Sequence, residues 1–302
     1  MGPFFSIVIP SYNRKGFIST PIDSCLSQAF NDFEILIIDD GSTDGTIAFL
    51  QSIYAHEPRI KVIPVENGER GRARNIGFNS STGSYVIFLD SDDEFLPDAL
   101  HVFHKTLLEN SSISILCGKY YLNDGITKTP GPLASLSQGN HSRSVLLRGN
   151  PFACNVLVNK LMSPYFSFQE ERKYSSMEDW LFLLENTQNH DIYLLDSFTV
   201  SMNDHEQRSM RNDHLKVVNA REEATAYASQ LAGLNKNEVK SLQAHSHYFC
   251  AIHAYLGSMR SIAFHQILAS LKKGGPIIAL MILSIKVVLG RPFILKLSRS
   301  NG

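Results

Sequence analysis

The chain has 302 residues, 43% apolar and 19% charged, with 28 Lys and Arg against 29 Asp and Glu. That near-neutral balance excludes a globally basic nucleic-acid binder, so no nucleic-acid partner is expected. The apolar content excludes a disordered chain, and the length suits a large α/β domain, alone or with an appendage.

The first half alternates strand and helix signals. Phe5 to Pro10 is a short apolar run, followed by a segment compatible with a helix to about Ala29. Phe33 to Ile38 is a second apolar run ending at Asp39 and Asp40, and Gly41 to Gly45 forms a turn. Ser42 or Thr43 is expected to cap the next helix, toward Tyr54. Ile60 to Val65 is a third strand, Arg72 to Ser80 a helix, and Tyr85 to Leu89 a fourth strand. Continuous apolar strands alternating with helices predict a mainly parallel sheet covered on both faces. From Ser114 to Val200 the pattern is mixed, with strand-like stretches at Ile115–Leu122 and Ile192–Val200. After about Arg211 it becomes helical. The expected division is an α/β domain over 1–210 and a helical region over 211–302.

Pro276 to Leu289 is almost wholly apolar, interrupted by Ser284 and Lys286 and flanked by Lys272, Lys273, Arg291, Lys296 and Arg299. It is too short to cross a bilayer, which takes about 20 apolar residues. Two readings stay open: a helix lying in the membrane interface, basic residues near anionic headgroups, or a helix packed on the main domain. The N-terminus has neither a basic n-region nor a long apolar h-region, so no signal peptide is expected. Cys25, Cys117, Cys154 and Cys250 lack metal spacing and read as reduced, partly buried thiols of a cytosolic protein.

The chemistry-bearing residues recur at strand ends. Pro10-Ser-Tyr-Asn-Arg14 follows the first strand and Asp39-Asp-Gly-Ser42 the second, Gly71 to Asn75 opens the third helix, and Asp90-Ser-Asp-Asp93 follows the fourth strand. Ligands of open α/β sheets bind outside the carboxyl ends of the strands, where these groups fall. Clustered carboxylates need compensation, and a hard divalent cation shared with phosphates supplies it. Taken singly, each group has a plainer reading: an acidic turn capping the helix near Pro97, a helix-start carboxylate at Asp40, a surface arginine at Arg74. The first turn lacks G-x-G-x-x-G, which disfavours a dinucleotide-binding Rossmann domain.

Ser6-Ile-Val-Ile-Pro-Ser-Tyr-Asn13, Ile38-Asp-Asp-Gly-Ser-Thr-Asp-Gly45, Ala73-Arg-Asn-Ile-Gly77 and Leu89-Asp-Ser-Asp92 together resemble the successive signatures of family-2 inverting glycosyltransferases, over roughly residues 4 to 210. The resemblance implies the GT-A fold, a nucleotide-diphospho-sugar-binding α/β domain, with a C-terminal helical extension added here. It implies that Pro10 and Tyr12 line the base pocket, that Asp40 bonds a uracil-type base, and that Arg74 holds the base or phosphate side. In the Asp-x-Asp motif, Asp90 and Ser91 fall on the donor nucleotide. Asp92 would coordinate Mn²⁺ or Mg²⁺.

Downstream, Ser175 to Glu185 places Glu178 and Asp179 at the start of an apolar helix, which also suits the helix dipole. It resembles the family's Glu-Asp motif, which implies Asp179 as the catalytic base. Trp180, the only tryptophan, suits either an acceptor sugar face or the core. His205 stands where the family can complete its metal site, and Arg208 where a basic residue can touch the diphosphate. His245, His247 and His253 read as surface or packing residues.

The expected function is a metal-dependent, hexosyltransferase-type enzyme using a UDP-sugar and a glycan acceptor, in polysaccharide or lipopolysaccharide biosynthesis at a bacterial surface. A polyprenyl-diphosphate-linked acceptor at the inner face of the cell membrane, with peripheral membrane contact, follows from composition and family habit. The alternatives are a sugar-nucleotide-forming nucleotidyltransferase, for which Tyr12 to Gly16 is only a faint triphosphate loop, and a non-catalytic sugar-nucleotide-binding protein.

Overall fold

The computed structural model describes residues 2–153, 155–162, 164–204 and 213–290. These form two compact units, one of residues 2–142, 151–172 and 189–204, the other of 143–150, 173–188 and 213–290.

The first unit is built on one ten-stranded sheet. Strands β1 (Phe5–Ser11), β2 (Phe33–Asp39), β3 (Ile60–Pro64) and β4 (Tyr85–Phe88) follow the apolar runs. They lie in the order β3-β2-β1-β4, all parallel. The helices between them are α1 (Ser19–Leu26), α2 (Thr46–Tyr54) and α3 (Arg70–Ser80). Beyond β4 the sheet turns mixed. Short β9 (Leu157–Asn159) runs antiparallel between β4 and β6 (Ile115–Asn123). β6 pairs in parallel with β10 (Ile192–Asn203). The short strands β5 (Glu94–Phe95), β7 (Lys128–Pro130) and β8 (Gly139–His141) add antiparallel pairings at β10, β6 and β10 respectively. Helix α4 (Ala99–Glu109) follows β5.

Every residue of β1 and β2 is buried, as strands covered on both faces require. Of the polar residues in these strands, Ser6 and Glu34 are satisfied, whereas Ser11 Oγ and Asp39 Oδ1 are buried without a hydrogen-bond partner among the described residues. Glu34, buried in β2, accepts hydrogen bonds from the Ser6 hydroxyl, the Thr82 amide and hydroxyl, and Lys61. Burial opposes its charge, but those four donors prevail and hold its carboxyl down at about 2. Gly77 brings α3 against β1: a Cβ there would stand 2.2 Å from Val8 Cγ1.

The second unit is helical. It holds α5 (Glu178–Asn186), α6 (His214–Ala228), α7 (Lys236–Leu256), α8 (Arg260–Lys272) and α9 (Ile277–Leu289). Helix α7 opens with a complete capping box between Asn235 and Glu238. Val218, Cys250, Ala251, Ala254, Ile267, Leu280 and Leu283 belong to its core; small residues on α7 allow close helix approach. Cys25, Cys117 and Cys250 are buried free thiols. The expected domain division falls within 205–212, outside the described residues, as does Cys154.

Candidate active site

In the first unit, the candidate site residues read from the sequence gather at the carboxyl ends of β1, β2 and β4 and in α3. The loops after β1 and β2 are laced together: the Asn13 amide donates to Ser42 Oγ (2.8 Å), the Thr43 amide to Asn13 Oδ1 (2.8 Å), and the Lys15 amide to Asp44 (3.0 Å). Ser42 and Thr43 therefore do not cap α2, contrary to expectation. The residue preceding that helix is Gly45, at φ 85°, without a side-chain cap. Cross-loop bonds outcompeted the local cap, and a left-handed backbone suits glycine.

Asp40 does not start a helix. It is buried, its Oδ1 accepts the Gly68 amide (2.8 Å), and the Asn67 side chain donates to its carbonyl (2.8 Å). Desolvation raises its pKa, against the Gly68 hydrogen bond and the charge of Arg72. Pro10 is buried at the end of β1, whereas Tyr12 is half exposed just beyond it.

Arg74 is no surface arginine. At 1% exposure it donates to Asp90 Oδ1 (2.8 Å) and lies over the Phe168 ring, 5.4 Å from its centroid. Phe168 is fastened in turn to α3. Its amide donates to Asn75 Oδ1 (2.8 Å), and its carbonyl accepts from Asn75 Nδ2 (2.9 Å).

Asp90, Asp92 and Asp93 offer carboxylate oxygens within 4.8 Å of one another. They cap no helix, because β5 intervenes and α4 begins after Asp98. Asp93 Oδ1 accepts the Asn203 amide (3.0 Å), and the Asn203 side chain donates to the Asp92 carbonyl (2.8 Å). The Arg14 guanidinium stands 3.6 Å from Asp92 Oδ2. Ser91 is buried between these acids in sequence. Three clustered carboxylates are an all-oxygen donor set, the chemistry hard divalent cations take, and so the residues present fit Mn²⁺ or Mg²⁺. His205 and Arg208 lie outside the described residues.

In the second unit, α5 begins with Glu178 and Asp179, both in its first turn. Asp179 Oδ2 accepts from the Asn150 side chain (3.0 Å), and its Oδ1 from the Trp180 amide (2.7 Å). Trp180 is core: 1% exposed, it donates its indole N–H to the Leu146 carbonyl (2.9 Å). The Arg221 guanidinium lies 3.4 Å from the centroid of the Trp180 ring. Arg221 is itself buried, bonded to Ser246 Oγ at 3.1 Å. Burial lowers its pKa to about 10, against the favourable charge of Asp179. A cation kept this dry is held by the ring face and a nearby carboxylate.

Arg14, Asn203, Phe168, Asn150 and Arg221 were missed as site residues from sequence. Arg14 had a signal, its place in the turn after β1. The others carry none, because they act from distant segments.

The glycosyl transferase family 2 model matches residues 6–168, more than half of the chain, which therefore belongs to glycosyl transferase family 2. An uncharacterized glycosyltransferase of Rickettsia conorii is 34% identical over 165 residues, 55% of this chain and 26% of that protein. The chondroitin synthase of Pasteurella multocida is 28% identical over 192 residues, 64% of this chain and 18% of the synthase. The chain thus spans about a quarter or less of these relatives' lengths. Among solved structures, S. aureus TarS in complex with UDP-GlcNAc superposes with a TM-score of 0.70 at 19% identity, covering 95% of this chain and 89% of that one. That likeness is one of fold, the GT-A arrangement of a mostly parallel central sheet followed by C-terminal helices.

Proposed function

We propose that the chain is an inverting, metal-dependent glycosyltransferase that passes a hexose-type sugar from a UDP-sugar to a hydroxyl of a glycan acceptor in surface polysaccharide assembly. The observation that carries this reading is the Asp90-Asp92-Asp93 cluster at the end of β4, braced by Arg74 and adjoined by Arg14, in a chain of family 2. The UDP-GlcNAc and UDP bound in the TarS crystal structures support a UDP-type donor. The chondroitin and hyaluronan synthases among the relatives support a polysaccharide product.

In this reading Asp40 receives the base, with Pro10 and Tyr12 beside it, while Asp90 and Ser91 meet the rest of the nucleotide. Asp92 would hold Mn²⁺ or Mg²⁺, with His205 as a second ligand and Arg208 on the diphosphate, both by family resemblance. When bound, the cation supplies stabilisation of negative charge on the departing diphosphate. Asp179 takes the acceptor hydroxyl's proton as that oxygen attacks the anomeric carbon. The bond from that carbon to the diphosphate breaks, its electrons go to the leaving oxygen, and the anomeric configuration inverts. Asn150 and the Trp180 amide hold the carboxylate in place for that transfer. The acceptor we assign is a polyprenyl-diphosphate-linked glycan at the inner face of the cell membrane.

Asp179→Asn keeps the shape of the base and removes its proton affinity. Sugar transfer should fall by about 10²–10⁴-fold with UDP affinity intact. Unchanged transfer would overturn the assignment of the base.

A further inference from the structure

All 29 acidic residues of the chain lie at or before Glu238, and the 64 residues from Val239 onward carry eight Lys or Arg and no Asp or Glu. This segregation is hidden in the neutral total. Within the same stretch, α9 presents two unlike faces. Leu280, Leu283 and Val287 turn into the helical core, spaced at helical intervals. Ile277, Ile278, Met281, Ile282, Ile285 and Val288 are each more than half exposed. On α8, Phe264, Leu268 and Leu271 form an exposed stripe at intervals of four and three, ending beside Lys272 and Lys273. Lys286, four residues after Ile282, stands at the edge of the open face of α9.

A surface helix normally shows water its polar side. Here the side shown to water is aliphatic, it is bordered by lysines, and neither α8 nor α9 contains an acid. No described helix is long and apolar enough to cross a membrane. At 13 residues, α9 is about 20 Å long, against about 30 Å of hydrocarbon. An apolar face too short to span, rimmed by cations, matches a bilayer surface bearing anionic headgroups: aliphatic side chains enter the acyl boundary and lysines reach the phosphates.

We infer that the α8–α9 hairpin is an in-plane anchor for anionic lipid bilayers. This deepens the membrane-side acceptor given above, but it stands on separate observations and fails separately. A membrane-embedded acceptor diffuses in two dimensions, so an enzyme held at the same surface meets it at a raised effective concentration.

The test uses the full chain and vesicles of phosphatidylcholine with or without phosphatidylglycerol. We expect co-sedimentation with the anionic vesicles that weakens as salt is raised. Ile278→Glu with Ile282→Glu should lower binding by at least about tenfold, from placing charge in the acyl boundary. Lys272→Glu with Lys286→Glu should do the same by reversing the rim charge. Both variants should retain the wild-type melting temperature and the wild-type affinity for UDP, which separates this proposal from the donor reading. The inference is overturned if the wild type ignores both kinds of vesicle, or if neither variant loses binding. It is equally overturned if light scattering finds a dimer that Ile282→Glu dissociates while vesicle binding is absent, since the face would then belong to a second copy.

Discussion

Arg74 combines a helix position that reads as solvent-facing with 1% exposure and an ion pair to Asp90. A buried guanidinium is stable only where a carboxylate and a ring face replace its water, and Asp90 and Phe168 supply both. Three carboxylates meet in this cluster, and Arg14 and Arg74 offset their charge only in part. Asp92→Ala should accordingly abolish the difference between UDP affinity with and without Mn²⁺, measured by calorimetry. An unaltered difference would remove Asp92 from the metal site. In the second unit, Asn150→Ala deletes a hydrogen bond to a charged acceptor, an interaction of about 1.5–3 kcal/mol. The expected result is a kcat lower by roughly tenfold or more with donor KM unchanged. Loss of both together would mark Asn150 as a general structural residue instead.

Among the elements, α3 does most to shape the site. Its Gly77 permits contact with β1, its Asn75 fixes the segment around Phe168, and its Arg74 reaches Asp90. Gly77→Ala improves helix propensity by about 1 kcal/mol, yet its Cβ must displace the buried Val8. Overpacking of that kind costs about 1–3 kcal/mol, so the net change in urea unfolding should be destabilising. A more stable variant would mean that β1 yields without strain. The strand ends of the first half were readable because each apolar run stops at its first acid or turn residue. Three-residue β9 was not, since so short a run leaves no period to detect, and its antiparallel insertion beside β4 depends on distant partners.

For the molecule as a whole, pH sensitivity follows from the helical unit. His253 is buried, with its Nδ1 3.1 Å from that of His214. Desolvation, then His214 and Arg221, lower its pKa to about 4. Its folded value therefore lies below its unfolded one, so the unfolded chain binds the extra proton as pH drops from 6.5 toward 4. Stability present above that window should be lost through it, by at most about 3 kcal/mol and less after solvent screening. Melting temperatures across this range should fall in the wild type and fall less in His253→Phe. Identical slopes would assign the loss to other groups.

The amino-acid sequence by itself determined the family, the parallel half of the sheet and the acids at its edge. Those features are local: a strand, its terminating residues and a motif occupy a few consecutive positions, and their order survives without any knowledge of packing. It left open whether Asp40 was a helix-start carboxylate, whether Arg74 was a surface arginine and whether Trp180 faced a sugar. The Gly68 contact of Asp40 and the burial of Arg74 and Trp180 answer these, and both are properties of distant segments brought together. Asn150 on Asp179, Arg221 on Trp180, Asn203 on Asp93 and the open aliphatic face of α9 were decided only by tertiary structure. Each is a pairing, or a missing pairing, between residues whose separation along the chain carries no periodic trace.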